Sequence, residues 1–230
     1  MIAFTEAQLL AWLSPVLWPF LRILAVFSAA PVLSSRAFPL RAKVALSLLV
    51  AFAAQPSLTD LPVISINGPD ALGAVAQQVA VGLAIGFAVR LVLAAFELAG
   101  QIVGFQMGLG FAAFFDPASS AQSSAMGRLY GTLAALLFVV LNGHLMLIQA
   151  VIQSFQAFPV DQNVLQALAT MQLQQLGSNL FASAFWIALP VVAMLMFANL
   201  ALGIVSRVLE KLKLSNNAEL TVYAIRNNLV

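Results

Sequence analysis

The chain has no cysteine, which excludes a disulfide framework, a thiol nucleophile and a cysteine metal site. It has one histidine, His144, with no carboxylate near it in sequence, so no metal site is expected. Charge is scarce too: 8% of the 230 residues are charged, against 62% hydrophobic. A soluble domain of this length could not cover its surface with so few polar groups. HExxH, Gly-x-Ser-x-Gly and the phosphate-cradling Gly-x-x-x-x-Gly-Lys are all absent, so neither an enzyme nor a cofactor is expected. No repeat of convincing period is visible, which argues against an inverted-repeat transporter. A net charge of +2 makes no case for nucleic acid or an acidic substrate.

What is present is apolar and helical in pattern. Apolar runs cover about residues 9–33, 42–55, 72–115, 129–158 and 178–205, without the alternation of a membrane barrel. The expected class is all-α, one membrane domain of several helices at roughly 20 residues per span. The first run follows Glu6 and is long and interrupted by Arg22, so it reads as a retained membrane segment rather than a secretory signal. The 42–55 run is too short to cross ~30 Å of hydrocarbon; it reads as half of a hairpin or a segment shielded by protein. The 72–115 run is too long for one span and must bend or break. Arg36, Arg41 and Lys43 favour a cytoplasmic first loop, if the helices are ordinary spans.

Gly100, Gly104, Gly108 and Ala112 recur every four residues and make a thin strip on one helix, with Gly82 and Gly86 repeating the spacing earlier. Such a strip lets a second backbone approach, within the bundle or in a neighbouring subunit. Met107, Phe111, Phe114 and Phe115 then precede Asp116 and Pro117. The proline forces Asp116 out of helical geometry, so the helix is expected to stop there, with Asp116 free to cap the next one. The aromatic end is either core or a hydrophobic constriction that seals a conduit.

Arg22, Arg90 and Glu97 interrupt apolar runs; each must pair with other helices or mark an interface by snorkelling. Arg90 and Glu97 share a helix face. Asn142 and Gly143 interrupt another helix, and His144 beside them reads as a kink residue bonded to a free carbonyl. The last 25 residues hold Arg207, Glu210, Lys211, Lys213, Glu219 and Arg226, a soluble-type tail in which Asn216 and Glu219 have capping-box spacing.

Several of these segments together, in order, resemble the FliR family of bacterial type III export-gate proteins. The likeness covers residues 1–205 and runs through Arg22, Ala30-Pro31, Pro39, Arg41-x-Lys43, QMGLGFAAFFDPAS (106–119), FVVLNGHLMLI (138–148) and ALPVVAMLMFANLALGIVSR (188–207). The resemblance implies helical hairpins held largely by subunit contacts, in the bacterial inner membrane at the flagellar basal body. It implies FliP-like and FliQ-like subunits as partners, an FlhB-like export switch protein, and unfolded flagellar export substrates passing through a shared channel. It further implies a plug over Met107–Pro117, with Phe111 and Phe114 as its aromatics and Gly108, Phe115, Asp116 and Pro117 shaping the loop. Injectisome gates are more distant members with the same plan; the rival readings are a small solute transporter and a truncated or chimeric chain without activity.

After Ser206-Arg207-Val208 the chain departs from the family, which continues there with another hydrophobic region. Residues 206–230 resemble the end of a LuxR-type helix-turn-helix domain, or form a divergent cytosolic tail. The base-reading start of the recognition helix is absent, so no nucleic-acid partner is expected.

Overall fold

The computed structural model describes residues 6–35, 38–58, 69–109, 124–160, 169, 173–214 and 216–227. They form seven α-helices: α1 (Glu6–Ala29), α2 (Leu40–Ala54), α3 (Pro69–Gln106), α4 (Ala125–Val140), α5 (Gly143–Ala157), α6 (Leu173–Leu212) and α7 (Asn217–Arg226). No strand occurs among the described residues, so the chain is all-α as its apolar patterning implies.

The core surrounds α1, where Trp18, Ile23, Val26 and Phe27 are buried beside Arg22. α2 returns along α1, burying Ser47, Val50, Ala51 and Ala54 and leaving Leu48, Leu49 and Phe52 exposed. At 15 residues it is about 22 Å long, the short half-hairpin its sequence implies.

α3 is the spine and packs along α1, α4 and α6. Gly82 meets Arg22 and Ala25 of α1, and Gly86 meets Val26 and Ala29, so α1 and α3 run parallel. α6 is parallel as well: residues 88–96 of α3 share a cleft with 176–187, and Ala99 and Val103 share a core cluster with Ala188, Val191 and Leu195. α4 runs the other way, with Met126 near Gly104 and Gly131 near Glu97.

The 72–115 run breaks, as its length implies, and the expected stop at Asp116 lies outside the described residues. α3 is continuous for 38 residues and ends at Gln106, where Gly108 adopts φ +77° and its N–H donates to the Phe105 carbonyl at 3.0 Å. A left-handed residue, free of cost only for glycine, turns the chain before the proline can. Asp116 and Pro117 lie outside the described residues; α4 has its own cap, Ser124, whose Oγ accepts from the Gly127 N–H at 3.0 Å. Ser124→Ala should cost about 1 kcal/mol of α4 stability, read as faster amide exchange at Gly127.

The composition change at Ser206 is not a break in the helix. α6 passes through it to Leu212 and ends in a Schellman turn on Lys213 (φ 55°), with Leu214 N–H bonded to Leu209 O at 2.9 Å. α7 starts as its spacing implies, with Asn216 Oδ1 accepting from the Glu219 N–H at 2.9 Å.

Three described helices are long and apolar enough to cross a membrane, or four spans if α4 and α5 are one broken span. Their coverage by the rest of the chain differs sharply: half of the α1 window is buried, 22% of the α3 window and 6% of the α6 window.

Candidate functional site

Two constructions carry the residues singled out by the sequence: a stem near the end of α3, and a polar hub in the core.

The stem is the C-terminal third of α3 with the start of α4. A Cβ on Gly100 would stand 2.5 Å from the Met126 carbonyl oxygen and 2.8 Å from Tyr130 Cβ, and one on Gly104 would touch Met126 at 3.4 Å. The fit is reciprocal, because a Cβ on Gly127 would stand 2.9 Å from Gln101. The thin strip therefore has two tenants, α1 on Gly82 and Gly86 and α4 on Gly100 and Gly104. Gly108 differs: no described residue lies within 4 Å of its missing side chain, and it serves as the turn. Phe105, Met107 and Leu109 around that turn are exposed. Ala112, Phe111, Phe114, Phe115, Asp116 and Pro117 lie outside the described residues. The strip thus ends in an exposed apolar tip that leads directly into the aromatic segment, and the chain returns from that segment into the capped start of α4.

Arg90 is exposed on α3, and Glu97 is half-buried against Gly131. They form no ion pair with each other among the described residues. Asn142 takes the left-handed conformation (φ 56°) between α4 and α5, and the two helices meet there at a bend of 69°. The interruption expected at Asn142 and Gly143 is thus a true break. His144 is half-buried in the first turn of α5. Its ring makes no hydrogen bond to another described residue, contrary to the expected bond to a free carbonyl.

The hub is built on Arg22, which is paired rather than snorkelled and has no exposed surface. Its Nε donates to Gln78 Oε1 at 2.8 Å, Nη1 to Ser154 Oγ at 2.9 Å and Nη2 to the Phe158 carbonyl at 2.7 Å. The guanidinium carbon also lies 3.6 Å from the centroid of the Phe155 ring. Gln77 extends the network: its Oε1 accepts from Gln78 Nε2 at 2.9 Å and its Nε2 donates to the Pro159 carbonyl at 3.0 Å. Two helices thereby hold two consecutive carbonyls at the end of α5, where a cation is also favoured by the helix dipole. The sequence signal for this hub is Gln77-Gln78 within AVAQQVAVG, two amides in an apolar run that must find partners.

Two buried polar atoms next to the hub have no partner among the described residues, Ser14 Oγ and Trp18 Nε1. With Arg22 they form a stripe at four-residue spacing on the buried side of α1.

Comparison with known proteins fits this architecture to a family. A family model described as bacterial export proteins, family 1, matches residues 13–217. The flagellar biosynthetic protein FliR of Escherichia coli (strain K12) is 40% identical over 216 residues, 93% of this chain and 82% of its own length. FliR of Pectobacterium carotovorum subsp. carotovorum is 35% identical over the same shares of both chains. FliR of Bacillus subtilis (strain 168) is 31% identical over 196 residues, 84% of this chain and 75% of its own. An all-α chain with bare apolar helices, matched in this way over nearly its whole length, belongs to family 1 of the bacterial export proteins.

Proposed function

We propose that the chain is a structural subunit of the flagellar type III protein export gate, in the bacterial inner membrane at the basal body. It contributes to the wall of a protein-conducting channel and carries the plug that closes it. The observation that carries this reading is α6, a span of 38 residues whose apolar window is only 6% buried by the rest of the chain. Its apolar run, 178–205, is about 42 Å long at ~1.5 Å per residue, against ~30 Å of hydrocarbon. Fitting that run into lipid alone would need a tilt of about 44°, beyond the usual range of about 0–40°. Cover by other protein accounts for the bare apolar surface without that tilt. FliP-like and FliQ-like subunits are the proposed cover, with an FlhB-like switch protein beside the finished gate and unfolded flagellar proteins as its cargo.

The plug is assigned to Met107, Gly108, Phe111, Phe114, Phe115, Asp116 and Pro117. Supporting this, α3 ends in a glycine turn with exposed apolar neighbours, which is what a loop hung from a rigid stem requires. The channel-building part is taken as residues 1–205, and the charged tail from Ser206 is given no share in the channel wall. Complementation tests the function: a bacterium lacking its own FliR and given this chain with its cognate partners should swim in soft agar. Absence of filaments from cells whose membranes contain the chain and both partners would refute the reading.

A further inference from the structure

Arg22 has no carboxylate partner among the described residues. Its charge is met by an amide oxygen of α3, a hydroxyl of α5 and the carbonyl that ends α5. Two of its three bonds, and the Phe155 ring, therefore belong to α5 and its end. The contact between α1 and α3 does not depend on the guanidinium, since the backbones meet directly at Gly82 and Gly86. The bend between α4 and α5 is marked locally by Asn142 in the left-handed region and by Gly143 packed on Phe138; Asn142 nevertheless makes no capping bond with its side chain, and α4 and α5 together are apolar enough to pass as a single span. Straightening them would return Asn142 to ordinary helical geometry.

We infer that Arg22 is the positioning residue that keeps α4–α5 bent, so that the pair lies re-entrant instead of straightening into a span. If α5 swung away, the guanidinium would lose the hydroxyl, the carbonyl and the ring together while still enclosed by apolar side chains. A buried cation stripped of its acceptors is costly. The penalty falls on the straight form alone, and it selects the bent one. Gln77 adds a second tie through Pro159. Leu147, Val151 and Phe155 bury a stripe of α5 in the α1 core as well, so the polar ties of Arg22 act on top of an apolar contact.

The absence of cysteine makes the test clean. Spin labels on Leu129→Cys and Gln156→Cys, both exposed sites, report the bend in the full chain in lipid nanodiscs. With arms of ~1.5 Å per residue and the 69° bend, the labelled backbones stand about 33 Å apart, against about 40 Å in a straight helix. A control pair, Leu13→Cys with Phe87→Cys, reports α1 against α3. Arg22→Gln should add a population near the longer distance while the control stays narrow, and the milder Ser154→Ala should shift the same balance less. An unchanged α4–α5 distance in Arg22→Gln overturns the inference. So does broadening of both pairs together in both variants, which would make Arg22 a general core residue.

Discussion

Replacing Gly82 by alanine should weaken the fold by about 1–3 kcal/mol, and leucine at the same position should prevent α1 and α3 from packing. The reason lies in what the new Cβ would meet. It would run into the carbonyl oxygen of Arg22, and Ala25 Cβ would be 2.7 Å away. The first of these is backbone and cannot rotate aside. Relief would require α1 to move off α3, and α1 carries Trp18, Val26 and Phe27, the centre of the main core. Displacing it would also pull Arg22 from Gln78. Thermal aggregation in mild detergent, followed by size exclusion, measures the loss. Gly203 and Gly177 serve as controls on α6. No described residue lies within 4 Å of either missing side chain, so alanine there should be neutral or stabilise the helix by up to about 1 kcal/mol. Equal losses at Gly82 and Gly203 would contradict the packing account.

The second large effect concerns the proposed plug. In an assembled gate, Phe111→Ala with Phe114→Ala should turn a resting channel with no detectable leak into one that passes ions, because a hydrophobic constriction holds water out only while its bulk is present. Gly108→Val should act by a different route. A β-branched residue is strongly disfavoured at φ +77°, so the turn after α3 would shift and the loop with it, although no described residue lies within 4 Å of the site. Both variants are read by planar-bilayer conductance or by sensitivity of cells to small ions. Unchanged conductance in the double alanine variant would remove Phe111 and Phe114 from the gate.

Much of the architecture is legible in the residues because membrane helices leave little room for ambiguity. The apolar runs mark α1, α3 and α6, the short 42–55 run marks α2 as half of a hairpin, and Asn142-Gly143 marks a break. The glycine spacing announces close packing, yet not that one strip serves α1 at one end and α4 at the other, since the direction and order of neighbours are tertiary facts. The break at Gly108 has a weaker local signal than the Asp-Pro pair eight residues on, because any glycine can take a left-handed turn and few do. Arg22 demands a partner on sequence grounds, but its acceptors lie 56, 132 and 136 residues away, and two of them are a serine and a backbone carbonyl that carry no recognisable motif.

The central claim is that this chain completes its fold as one subunit of a membrane gate, and co-purification in mild detergent tests it most directly. Expressed with its cognate FliP-like and FliQ-like proteins and isolated by its own affinity tag, the chain is predicted to carry both in a single complex, with α6 labels at Phe197 and Leu200 shielded from lipid on assembly. Recovery of the chain by itself, with both partners expressed and present in the membrane, would contradict the account.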